Sequence, residues 1–434
     1  MQLRFLGGTG TVTGSKFLLQ NDGQDVLVDC GLFQGLKALR RRNWRALPLD
    51  PSRLAAVLLT YAHIDHSGHL PRLVRQGFDG PVWVTEGTAD LLRLLLPDAG
   101  HLQEEDARYA ARRGFSRHRP PLPLYTEDDA IASLRQLRTV PWDVDQAIGD
   151  LRVRFRPAGH ILGAAGIRVA SPGGSVWFSG DLGRPNDPLM HAPKLPEEPV
   201  DVLVLESTYG LRSHPRTDPL EQLHAVVERT LARRGTVLIP SFAVGRTQTV
   251  LWALHTLIET GRLDPHVPIY VNSPMAIDAT ELLLRHHAEH RLSAAEARAM
   301  GARAIYVRTA DESRALTRRE GPAIVISASG MLSGGRVLHH LRQLAPEPRN
   351  TVLFCGYQAT GTRGATLLEG ADEVRVHGID VPVHCEVARI DAWSAHADHR
   401  EILAWLERWP AAPSQTFLVH GDPAALDALR GHLS

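Results

Sequence analysis

Two imidazoles and a carboxylate crowd one short segment, Thr60-Tyr61-Ala62-His63-Ile64-Asp65-His66-Ser67-Gly68-His69. They follow directly on the apolar run 54–60, the pattern of a buried strand that delivers a site at its C-terminal end. A loop there can turn His63, Asp65 and His66 toward one point, and imidazole with carboxylate is the donor set of a hydrolytic zinc or manganese site. The competing account is a polar loop with chance histidines. Three other strand ends repeat the construction: 153–155 leads into Gly159-His160, 176–179 into Gly180-Asp181, and 417–419 into His420-Gly421. Any one of these alone reads as a turn, with glycine where the backbone must approach closely. Four in one chain argue for a shared metal centre.

Positioning such ligands takes sheets. The first thirty residues read as a meander, with strands at 3–6, 16–20 and 24–29 around the turn Gly7-Gly8-Thr9-Gly10. Strand 54–60, helix 70–76, strand 82–84, a helical spacing over 88–111, and strands 151–156, 166–170 and 176–179 follow. This mixture predicts two packed sheets flanked by helices. After Thr208 strands and helices alternate: helices 221–232, 247–259, 279–285 and 336–343, strands 236–239, 267–271, 323–326 and 351–354. That alternation predicts a mostly parallel sheet with its own core. From about residue 374 short strands return, then a helix at 400–408 and a strand at 416–419.

With 434 residues, 43% hydrophobic and 22% charged, the chain has material for two cores. Its formal net charge of zero leaves any contact with nucleic acid to a local patch. Lysine occurs only at 16, 37 and 194. Compositional bias accounts for this simply, although guanidinium forks also suit phosphates. Cys30, Cys355 and Cys385 match no zinc ribbon, so a reduced, cytoplasmic protein is expected. The N-terminus lacks a basic region followed by an apolar one, so no signal peptide is expected. No uncharged apolar stretch reaches the roughly 18 residues of a membrane span.

The order Asp29, the His/Asp cluster, His160 and Asp181 resembles the four motifs of the metallo-β-lactamase superfamily. Three later features resemble its β-CASP branch, which includes the polyadenylation endonuclease subunit and bacterial ribonucleases: Glu206 in Leu205-Glu206-Ser207-Thr208-Tyr209-Gly210, His396 in Ser394-Ala395-His396-Ala397-Asp398, and His420. The resemblance covers essentially the whole chain. It implies an α/β fold, a metallo-β-lactamase αββα sandwich (1–207 and 371–434) with an inserted α/β β-CASP domain (208–370) over the active site. It assigns His63 and His160 to a first metal, Asp65, His66 and His420 to a second, and Asp181 to both. Asp29 would orient a ligand or the loop from behind.

At the first histidine of the family's His-x-His-x-Asp-His motif stands Tyr61. A phenol with an ordinary pKa of about 10 is a poor zinc ligand. Three readings are open: a weak first site, a phenolate ligand, or a residue substituted to slow turnover. The other ligands are intact, which keeps an enzyme ahead of an inert scaffold.

Two divalent cations, zinc or else manganese, would activate a bridging water and offset charge on a scissile phosphate. In-line attack would leave 5′-phosphate and 3′-hydroxyl ends. His396 would be the general acid, held charged by Glu206, with Asp65 and Asp181 completing the catalytic set. The insert would receive phosphates on two strand-to-helix turns, at Ser241 and Arg246 and at Ser329, Gly330 and Arg336. The basic tract 39–45 could meet RNA backbone, with Trp44 stacking. The expected activity is a metal-dependent endo- or exoribonuclease in RNA processing or decay, acting on single-stranded RNA; a homodimer is an open option. A DNA nuclease of the same branch is the runner-up, disfavoured by His420. A catalytically impaired RNA-binding scaffold is the non-enzyme alternative.

Overall fold

The structure is a computed structural model that describes residues 1–114, 118–359 and 361–434. Two compact units emerge: Met1–Ser213 with Ala395–Ser434, and His214–Ser394.

The first unit is built on two six-stranded sheets. One runs Gln2–Gly7, Lys16–Asn21, Gln24–Val28, Leu54–Leu58, Val82–Val84, Leu137–Thr139, antiparallel at its start and parallel thereafter. The other runs Gln415–Val419, Val202–Glu206, Gly174–Phe178, Ala165–Ser171, Leu151–Pro157, Gln146–Ile148. Period-two alternation decides what each strand buries. Val176, Phe178 and Val204 face Phe17, Leu19, Val28 and Leu58 of the first sheet in one continuous core. Trp177, Leu203 and Leu205 point to the opposite face. There they pack on Ile402 and Trp405 of helix His399–Leu406, Trp409, and Leu429 of helix Pro423–Leu433. Each such side chain contributes about 1.5–3 kcal/mol on burial, and truncating Phe178 to alanine would cost about 3–5 kcal/mol. Helix His399–Leu406 starts where it does because Asp398 caps it, accepting from the amides of Arg400 and Glu401 at 2.9 and 3.0 Å.

The second unit holds a fully parallel six-stranded sheet in the order Ala304–Tyr306, Ile269–Val271, Ala323–Ser327, Thr236–Pro240, Thr351–Phe354, Glu386–Arg389. Glu386–Arg389 pairs with Thr351–Phe354, and Val374, Val376 and Val381 of the preceding hairpin join this unit's core, so it runs to Ser394. Helix Pro274–Arg285 begins before the expected residue 279, because Ser273 caps it and Pro274 takes its first position. Helices Glu127–Ser133, Ala294–Gly301, Ala310–Thr317 and Arg363–Leu368 were not read from periodicity. Each opens on a threonine or serine cap: Thr126, Ser293, Thr309 and Thr362. Among the described residues, no helix is long and apolar enough to cross a membrane.

Candidate metal centre

Two adjacent parallel strands deliver the first ligands. Beyond Leu54–Leu58, the amide and hydroxyl of Thr60 donate to Asp29 Oδ1 at 2.8 and 2.9 Å. Asp29 follows strand Gln24–Val28 with a left-handed φ of 59°, which turns its carboxylate back toward the motif. Its Oδ2 lies 2.7 Å from His66 Nδ1. A carboxylate on Nδ1 fixes the ring and leaves Nε2 to face a cation, the arrangement expected behind a metal-binding histidine. Gly31 makes this approach feasible: a Cβ there would sit 1.5 Å from Asp65 O. The backbone is stitched across the same gap, with Cys30 N on His66 O at 2.7 Å and Leu32 N on Ile64 O at 2.8 Å.

The second sheet supplies the rest. Gly159 has φ 73°, and a Cβ on it would meet His191 O at 2.4 Å. His160 follows, and its Nδ1 donates to Ala395 O at 3.3 Å. Asp181 is 2% exposed beneath the end of Gly174–Phe178 and lies at the middle of the cluster. Its Oδ1 is 3.4 Å from His66 Nε2 and 3.2 Å from His420 Nδ1, and its Oδ2 is 3.8 Å from His160 Nε2. His420, with φ 50°, also reaches Asp65 Oδ2 at 3.4 Å. His63 stands edge-on to Tyr61 and His160, with ring centroids 5.0 and 5.5 Å away. All six expected ligands are thus in one place in the first unit.

Tyr61 is 1% exposed and donates its phenolic hydrogen to Asp181 Oδ2 at 2.5 Å. Burial, then the charges of Asp181 and Asp65, push its pKa well above the ordinary phenol value. The phenolic oxygen thus sits against Asp181 Oδ2, between the rings of His63 and His160.

Glu206 is buried and anchored by the amides of Leu182 (2.7 Å) and Thr208 (3.1 Å). Its Oε1 lies 3.2 Å from His396 Nδ1. Burial alone would lower the His396 pKa, but the charge and hydrogen bond of Glu206, with Asp181 and Asp65, outweigh it and raise the pKa to about 9. Burial holds His63 below the usual imidazole range, and burial with the His396 charge holds His160 well below it. Both therefore present neutral rings, the form that binds metals.

The cluster suits a divalent cation by its own chemistry. One ligand atom each from Asp65, His66 and His420 lies within 4.8 Å of the others, and the same holds for His160, Asp181 and His396. Among the described residues, His160 Nε2 and Asp181 Oδ1 are buried without a hydrogen-bond partner. Buried polar atoms in that state call for a missing partner. Several positioning residues escaped the sequence reading. Thr208 places its hydroxyl 3.0 Å from His420 Nδ1, Ser15 lies 3.4 Å from His66 Nε2, and Tyr209 stacks under His396 at 5.9 Å. Thr60 and Thr208 each adjoin a recognised strand end, the one signal that could have found them.

The remaining candidates lie in the second unit, at the C-terminal ends of its parallel strands. Ser241 is fully buried after Thr236–Pro240, and its amide donates to Ser327 O at 3.0 Å. Ser329 Oγ accepts from Ser333 N at 2.9 Å, and Gly330 packs on Phe242. Arg246 opens helix Arg246–Glu259 beside Gly356. Arg336 donates to Asn272 Oδ1, Val307 O and Arg308 O at 3.0, 3.1 and 2.7 Å, so its guanidinium ties these loops together. In the first unit's basic tract, Trp44 lies against His118 with ring centroids 4.3 Å apart and Arg42 covers Phe33, while Arg40, Arg41 and Arg45 are exposed.

Comparison with known proteins places the chain in a family. Three domain families match in succession: a beta-lactamase superfamily domain over residues 24–237, a Beta-Casp domain over 247–367, and a Zn-dependent metallo-hydrolase RNA specificity domain over 380–434. A protein named as a ribonuclease from Thermus thermophilus is 36% identical over 437 residues, covering 99% of this chain and 95% of that one. Transcription termination factor FttA of Pyrococcus abyssi is 32% identical over 447 residues, which cover 96% of this chain but 66% of that protein. A crystal structure of a protein of unknown function from Enterococcus faecalis shares the fold, with a TM-score of 0.54 at 12% identity over 98% of this chain and 95% of that one. The chain belongs to the β-CASP family of metal-dependent hydrolases built on the metallo-β-lactamase fold.

Proposed function

We propose that this chain hydrolyses phosphodiester bonds of single-stranded RNA in a metal-dependent reaction, leaving 5′-phosphate and 3′-hydroxyl ends. The observation that carries this is the buried Asp181, ringed by imidazoles, with the Glu206–His396 pair beside it. The donors fit zinc first and manganese second. Asp65, His66, His420 and Asp181 would hold the ion, and Asp29 would fix the His66 ring. A bound divalent ion supplies Lewis-acid polarisation and a nucleophile active at neutral pH. The chain's own groups do the rest. His396 carries a proton that it can give to the leaving 3′-oxygen, and Glu206 keeps that proton in place. Tyr209, stacked on the His396 ring, limits its rotation. The ribonuclease from Thermus thermophilus supports RNA as the substrate.

The test is cleavage of a 5′-labelled single-stranded RNA with zinc, with manganese and with chelator, scoring the ends produced and running the matching DNA strand alongside. Metal-dependent cuts with 5′-phosphate ends are expected on RNA. His396→Ala should slow cleavage by about 10²–10⁴-fold with metal content unchanged, the usual contribution of a general acid. Cleavage of DNA in preference to RNA would overturn the substrate, and loss of metal from His396→Ala would overturn the role of that residue.

A further inference from the structure

The two oxygens of Asp181 face different company. Oδ1 looks toward His66 Nε2 (3.4 Å) and His420 Nδ1 (3.2 Å). Oδ2 looks toward His160 Nε2 (3.8 Å) and His396 Nδ1 (3.9 Å), and it already accepts the Tyr61 hydroxyl at 2.5 Å. We propose that Tyr61 closes the Oδ2 side as a metal position, so that the centre takes a single divalent ion, on the Oδ1 side with Asp65, His66 and His420. This rests on the metal-dependent reading above and adds the stoichiometry of the site.

The argument is one of donors and space. On the Oδ1 side, ligand atoms of Asp65, His66 and His420 lie within 4.8 Å of one another, and Asp181 Oδ1 lies 3.4 Å from His66 Nε2. These four residues offer the donor types and number that zinc takes. On the Oδ2 side, the residue between His63 and His160 offers an O–H where an imidazole would offer a lone pair. Its hydrogen is spent on the very oxygen that a cation there would need. His396, which clusters with His160 and Asp181, turns its Nδ1 to Glu206 at 3.2 Å, so what remains is the lone pairs of His63 and His160, short of the three protein ligands that a hydrolytic zinc site keeps. The phenol has no room to withdraw. Tyr61 is 1% exposed, and its ring is wedged between His63, His66 and His160 at centroid distances of 5.0, 4.5 and 5.0 Å.

The experiment reads metal, without RNA. The full chain and Tyr61→His are equilibrated with zinc, freed of loosely held ion, and assayed by elemental analysis and native mass spectrometry. One ion per chain is expected for the parent and two for Tyr61→His. Two ions on the parent, or one on a folded Tyr61→His, would overturn the proposal. A parent that binds none would overturn the metal-dependent reading along with it. Should Tyr61→His not fold, zinc titration of the parent decides by near-ultraviolet difference absorption. Saturation at one equivalent with no tyrosinate band supports the closed position, whereas a tyrosinate band shows phenolate ligation and overturns it.

Discussion

His69 closes the segment that carries His63, Asp65 and His66, and makes the fold sensitive to acid. It is 1% exposed, its amide is held by Cys30 O, and its Nε2 donates to Asn43 O at 3.2 Å. Burial, reinforced by the positive charges of Lys16 and Arg72, pushes its pKa from 6.5 down to about 3. Folded His69 therefore stays neutral where the unfolded chain is already protonated. Between pH 6.5 and 3 the unfolded state binds the extra proton, so stability falls as pH falls through that window. At 1.36 kcal/mol per unit, the loss is about 2 kcal/mol at pH 5 and about 4 kcal/mol at pH 3. His69→Gln keeps a donor for Asn43 O and cannot titrate. Its stability at pH 7 should be lower than the parent's, from lost packing, but its decline toward pH 5 should be shallower by about 2 kcal/mol. Urea unfolding of both proteins from pH 7.5 to 4.5, in chelator so that metal release does not overlay the signal, measures the difference. Parallel curves for parent and variant across that range would refute the reasoning, because other groups of the centre titrate equally in both.

Three further outcomes are expected. Asp181→Ala removes the carboxylate that faces both sides of the cluster, and cleavage should fall more than about a hundredfold with metal lost, since even outer residues cost 10–100-fold; a fully active variant would contradict the site. Asp29→Asn should weaken zinc affinity by about 10–100-fold, as read by competition with a chromogenic chelator, because His66 loses the anion on its Nδ1. Lys16 is buried against Gly31 O, and burial pushes its pKa down to about 8. Folded Lys16 is thus neutral above pH 8 while the unfolded lysine stays charged to about pH 10.5, and stability gains about 3 kcal/mol across that interval; Lys16→Met should lack this rise in an unfolding series from pH 7.5 to 10.

How much of this was readable beforehand follows from where the information sits along the chain. The clustered residues were legible because a polar cluster at the mouth of a sandwich needs polar residues where apolar strands end. His63, Asp65, His66, His160, Asp181 and His420 all stand there, beside glycines whose missing Cβ lets the backbones converge. The short helices of the second unit were missed because their packing faces are brief, although their capping residues announced them. Which sheet the short strands after residue 374 would join was not legible, for a different reason. Glu386–Arg389 is a four-residue edge strand whose partner, Thr351–Phe354, precedes it by 35 positions. Nothing in a sequence so short and half-polar says which sheet it will join; the pairing is a property of the assembled core.

Tyr61 shows the same limit at atomic scale. Its presence at a ligand position was plain from the motif, and three chemistries were compatible with it. What separates them is a hydrogen bond to a residue 120 positions away, and which of the two Asp181 oxygens receives it. A phenolate would require a cation close enough to outweigh burial and two nearby carboxylates. The geometry instead gives the phenol an anionic acceptor at 2.5 Å, which stabilises its proton. In the proposed reading the Oδ1 side keeps its donors, Asp65, His66 and His420, because the phenol's hydrogen goes to Oδ2. Tyr61 exchanges a lone pair for a hydrogen at one ligand position and leaves the donors across Asp181 as they are.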